Sequence, residues 1–112
     1  MAERKRRLLH RLNQLPAGKN FPLEAIVLRL GGAVWVILQG EHYSILQRTL
    51  RERFPKTPLI ISTVASHWGA SYLPPRELYD KCIYQESIAI TAAGSLETVI
   101  ETLGDQIESF MK

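Results

Sequence analysis

The sequence predicts an α+β domain, α/β-like at its centre, in which a small mixed sheet of three or four strands packs with amino- and carboxyl-terminal helices. Three observations predict it. Two apolar, β-branched runs flank Gly31-Gly32, the two-residue signal of a tight hairpin. The hydrophobic period then becomes helical over His42 to Arg53 before a further apolar run, Leu59 to Val64. Both ends of the chain, residues 1–15 and 95–111, carry apolar stripes at helical spacing.

A chain of 112 residues is long enough for one modest core and too short for two, so residues 1–112 are expected to form a single domain. Apolar residues make up 46% of it and the mean hydropathy is -0.07, which excludes a disordered chain. No apolar run approaches the roughly 20 residues of a membrane span, and the amino terminus lacks the apolar stretch of a secretory signal. The expected location is cytoplasmic. The single Cys82 has no partner for an internal disulfide, which fits that compartment.

Each element follows from its punctuation. Leu8, Leu9, Leu12 and Leu15 recur at helical spacing, making residues 1–15 a basic amphipathic helix. Arg4, Lys5, Arg6, Arg7, Arg11 and Lys19 stand against Glu3 alone in the first twenty residues, although the whole chain carries only +3. Two readings of that charge stand side by side. The arginines are the wet face of a helix whose leucines pack on the core, or Arg4, Arg6 and Arg7 bind an acidic partner or nucleic acid. The absence of interleaved aromatics and of zinc-finger spacing argues against nucleic acid.

Pro16-Ala17-Gly18 ends this helix. Leu23 to Leu30 and Ala33 to Leu38 then form the hairpin, the first two strands of a sheet core spanning 23–91. Val34 to Leu38 is a continuous apolar run, so the second strand is expected to be covered on both faces, with Trp35 buried. In the crossover helix 42–53, Ile45, Leu46, Thr49 and Leu50 share one face and Arg48, Arg51, Glu52 and Arg53 the other, and Pro55 stops it. A strand, helix, strand unit of this length is most simply a right-handed crossover to a parallel neighbour, Leu59 to Val64. Residues 67–81 read as loop with one helical turn begun at Pro75, and Ser87 to Thr91 as a short edge strand. Ser95 is the expected N-cap of the last helix, whose stripe is Leu96, Val99, Ile100, Leu103, Ile107 and Phe110, with Leu103 buried.

The chemistry concentrates at one sheet edge. Glu41 follows an apolar strand and opens a helix, the place where α/β proteins hold ligands; it is equally placed to satisfy free backbone amides in a helix's first turn. Tyr72 precedes the rigid Leu73-Pro74-Pro75 segment, which fixes its ring direction. His42 adjoins Glu41, and His67 follows a strand end, so both are candidate metal ligands, although neither shows the close histidine spacing of a zinc motif and loop histidines are commonly mere surface. There is no phosphate-binding glycine loop and no Gly-x-Ser-x-Gly elbow, and Cys82 has no neighbouring histidine. Parallel strands joined by a crossover end at the same edge, so Glu41 and Tyr72 should converge there, with His42 and His67 at the rim.

At these residues a family resemblance emerges. The order strand, Gly-Gly, strand, Gly40-Glu41, helix, strand, Tyr72 to Tyr84 resembles the carboxyl-terminal part of the catalytic domain of neutral or alkaline non-lysosomal ceramidases, over roughly residues 23–85. Their Pro-Gly-Glu turn stands here as Gln39-Gly40-Glu41. Their Tyr-Val-Thr-Thr-x-Glu-Glu-Tyr segment stands as Tyr72-Leu73-Pro74-Pro75-Arg76-Glu77-Leu78-Tyr79, and the later Tyr-Glu as Tyr84-Gln85. The resemblance implies a zinc-dependent amidase whose zinc is held by two histidines from earlier in the domain together with the turn glutamate and the tyrosine, here Glu41 and Tyr72. It further implies that this chain is a fragment or a non-catalytic standalone relative. No cofactor is then expected in it alone, zinc entering only when an upstream catalytic region or another subunit supplies the histidines.

Overall fold

A computed structural model describes residues 1–18, 20–66 and 71–112. Among them are four α-helices, α1 (Ala2–Asn13), α2 (Ser44–Arg53), α3 (Tyr84–Ile88) and α4 (Ser95–Met111), and a 3-10 turn at Arg76–Leu78. The strands are β1 (Ala25–Leu30), β2 (Ala33–Leu38), β3 (Glu41–His42), β4 (Leu59–Ser62) and β5 (Tyr72–Leu73). The mixed α+β architecture is the expected one. β1, β2 and β4 form one sheet in that order, antiparallel then parallel, and β3 pairs with β5 in a second, two-stranded ladder.

The hairpin closes on the Leu30–Ala33 pair, with Gly31 at a φ of 60°. A positive φ at the first loop position alone is the requirement of a type II′ turn, which glycine meets without strain. β2 then runs parallel to β4 in the register Val34 to Leu59, with α2 as the crossover.

The core lies on one side of the sheet. Val34, Val36 and Leu38 of β2 are buried against Leu46 and Leu50 of α2 and Leu96, Leu103 and Ile107 of α4. The opposite side carries Ile26, Leu28, Leu30 and Ile60, all exposed, with Trp35 and Ile37 half-buried between them. Coverage on both faces and full burial of Trp35 are thus corrected, because a continuous apolar run records two apolar faces and not two covers. Trp35 spans this face and donates its indole N–H to Ser62 Oγ at 3.0 Å.

Four further expectations shift. The first helix was expected on the sheet, yet α1 buries none of its residues. α2 and α4, each roughly 10 Å across, already fill the covered face of a three-stranded sheet only about 14 Å wide. The edge strand expected at Ser87 to Thr91 is instead preceded and partly replaced by α3. Glu86, at the third position of that helix, reaches back to the N–H groups of Asp80 (2.8 Å) and Cys82 (3.1 Å), a side-chain closure that favours a helix start over strand pairing. The N-cap of α4 is Gly94 at a φ of 93°, with Ser95 the first helical residue. His42 lies in β3, and α2 begins at Ser44 after Tyr43.

One helical glycine matters for packing. Gly104 is buried in α4 beneath Arg53, and a Cβ there would collide with the guanidinium. Its bareness lets Arg53 cross α4 and reach Asp105 at 2.7 Å and Glu108 at 2.8 Å.

Leu38→Ala and Ile107→Ala should each cost about 2–5 kcal/mol in denaturant unfolding, since both side chains are fully enclosed. Trp35→Ala should cost less than either. It is packed on one side and loses a single hydrogen bond of about 1 kcal/mol.

Candidate functional site

The end of β2 builds the site. Gln39 turns inward, is buried, and accepts the Glu24 N–H at 3.1 Å through its side-chain oxygen. Gly40 follows at a φ of 79°, a left-handed conformation that turns the chain out of the first sheet and into β3. The exit of β4 is tied to this bend: Val64 donates its N–H to the Gly40 carbonyl at 2.8 Å, and Ala65 donates to the Leu38 carbonyl at 3.0 Å. Val64 makes that bond at a φ of 54°, strained for a β-branched residue.

β3 and β5 lie side by side and parallel, with Glu41 in register with Tyr72. The Glu41 N–H donates to the Ser71 carbonyl at 2.9 Å, which fixes that register. The register sets the two side chains on one face of the ladder. The negative charge of the Glu41 carboxylate, more than partial burial or the neighbouring Tyr84, holds the Tyr72 phenol above its ordinary pKa. The expected convergence of Glu41 and Tyr72 is therefore present, through a ladder of only two residues per strand.

Tyr84 completes the group. Its ring meets Tyr72 edge-on at 6.1 Å between centroids, and the Arg4 guanidinium of α1 stands 6.0 Å from its centroid. The sequence places Tyr84 within the resemblance, as the first residue of Tyr84-Gln85, but gives it no ligand role, although Glu86 two positions later carries the signal for the helix start that orients it. Arg6 and Arg7, by contrast, are engaged along α1 with Glu3, at 2.7 and 3.0 Å.

His42 departs from its expected place at the rim. Successive side chains of a strand point to opposite faces, so His42 is directed away from the side that Glu41 shares with Tyr72. It is partly buried, with Nε2 donating to the Gln39 carbonyl at 2.8 Å in the neutral tautomer. Burial lowers its pKa from 6.5, the carbonyl opposing. Its Nδ1, buried, has no hydrogen-bond partner among the described residues. His67 lies outside the described residues.

A carboxylate and a phenol oxygen facing each other can bind a hydrogen-bonding polar group or occupy two positions around a hard or borderline cation. Among the described residues no group of three histidines, cysteines, aspartates or glutamates surrounds them. The pair alone supplies two oxygen donors. Comparison with profiles of known families, with curated proteins and with solved structures finds no match to this chain.

Val64→Asn should raise the unfolding midpoint by the equivalent of about 1 kcal/mol, because asparagine tolerates the left-handed conformation that valine resists. The pH dependence has a defined sign at His42. Its folded pKa is depressed, so as pH falls through 6.5 the unfolded chain takes up the proton first and stability declines until the folded pKa is passed. Urea unfolding at about pH 7.5 and about pH 5.5 should show that decline, and His42→Gln should reduce it.

Proposed function

We propose that this chain is the carboxyl-terminal part of a ceramidase-like, zinc-dependent amidase, or a standalone relative of one, and that it contributes two oxygen donors and no complete catalytic centre of its own. The observation that supports the reading is the pairing of Glu41 with Tyr72, the two residues to which the resemblance gives a ligand role, set in register by parallel β3 and β5. Zinc, where bound, supplies Lewis-acid polarisation of an amide carbonyl.

The chain's own residues have narrower roles. Glu41 provides the anionic donor, and the β3–β5 register sets the Tyr72 oxygen on the same face. Tyr84 holds the Tyr72 ring edge-on. Glu41 disfavours the Tyr72 phenolate, and a divalent cation held by the two oxygens would supply positive charge that favours loss of the phenolic proton.

Zinc titration of the intact chain, followed by tyrosinate absorbance and proton release, tests this reading. Weak binding, far from saturated at equimolar zinc and lost in both Glu41→Gln and Tyr72→Phe, is the expected result. Binding unaffected by those substitutions removes the metal role. A tight stoichiometric complex that also requires a histidine shows a complete centre and overturns the half-site.

A further inference from the structure

Most of the leucine side of α1 has no cover. Leu8 lines a crevice against Tyr84, Ser87 and Ile88 of α3, yet Leu8, Leu9 and Leu12 remain 43%, 59% and 48% exposed, and no residue of the helix is fully buried. A stripe of this kind in water loses free energy for every apolar group it displays, so it is retained where something else covers it.

The surrounding charge identifies that cover. Arg4, Lys5, Arg6, Arg7 and Arg11 share the helix with one acid, Glu3, which is occupied by Arg6 and Arg7. Arg4, Lys5 and Arg11 have no ion pair among the described residues. At 100° per residue Lys5 falls between Leu9 and Leu12, while Arg4 and Arg11 together border the stripe beyond Leu8. A second copy of α1 packed on the leucines would set these cations against their equivalents. Nucleic acid would satisfy the cations and leave the leucines in water. A surface that is apolar inside and anionic at its boundary satisfies both, with the lysine stem lying along the apolar layer and its ammonium returned to the headgroups.

We infer that α1 is an interfacial helix that lays Leu8, Leu9 and Leu12 into an anionic lipid surface, with Arg4, Lys5 and Arg11 on the headgroups. Three leucines on a 12-residue helix are marginal for neutral lipid, so attachment depends on anionic charge. The contact of Arg4 with Tyr84, and of Tyr84 with Tyr72, places the lipid surface beside the Glu41–Tyr72 pair. The inference is independent of any metal there.

Co-sedimentation with vesicles of phosphatidylserine and phosphatidylcholine in equal amounts, against phosphatidylcholine alone, tests it. The intact chain should bind the mixed vesicles and leave the neutral ones, with affinity falling as salt rises. Replacing Arg4, Lys5 and Arg11 by glutamine should weaken binding by about fivefold per cation. Leu9→Ser with Leu12→Ser should weaken it as well, while Glu41→Gln should not. Because α1 contributes nothing to the core, these variants should keep the parental unfolding transition, which circular dichroism checks. Equal binding to both vesicles, no binding to either, or leucine variants that bind as the parent does would overturn the inference. So would binding to an oligonucleotide of random sequence that is tighter than vesicle binding and indifferent to the leucines.

Discussion

Burial of β2 by one face beneath α2 and α4 is the constraint from which the rest of the molecule follows. Val34, Val36 and Leu38 lock into that core while the same strand holds β1 on one edge and β4 on the other. Its direction sets where the chain emerges after Leu38. Since β4 runs parallel to it, both strands deliver their exits to one end of the sheet, and the Val64 and Ala65 amides tie the two exits together. The short β3–β5 ladder is built on that tied end. A change that loosens Leu38 would thus reach Glu41 through two residues of backbone before disturbing any side chain in the site.

The electrostatic logic of the pair follows from its position. Glu41 is exposed, so water shares in solvating its charge, and what Tyr72 feels is a carboxylate held close by register and not one trapped by burial. His42, one residue on, experiences the reverse balance: enclosure and a carbonyl, with Leu73 as its register partner. Strand alternation alone separates these two environments across consecutive positions.

The elements written in local chemistry were legible in the sequence. Gly31-Gly32 between apolar runs specified the hairpin, and the change of period at residues 42–53 specified the crossover, from which the approach of Glu41 to Tyr72 followed by topology. Features that depend on what lies opposite were not legible. The leucines of α1 announce an apolar face without saying what meets it, and Trp35 sits in a run whose two sides read alike. The β3–β5 ladder is too short to carry a period at all. α3 was masked by Ile88 and Ile90, which alternate like a strand, while the decisive residue was Glu86 reaching back to Asp80 and Cys82.

The uncovered side of the sheet also has a thermal consequence. Ile26, Leu28, Leu30 and Ile60 are already hydrated in the native state, so melting adds less new apolar surface than in a domain of this size with a two-sided core. The heat-capacity increment of unfolding should consequently fall below the usual value of about 12–15 cal/mol/K per residue. Calorimetry would record this as a shallow stability curve, with enthalpy changing slowly with temperature and the margin against cold kept nearly as wide as the margin against heat.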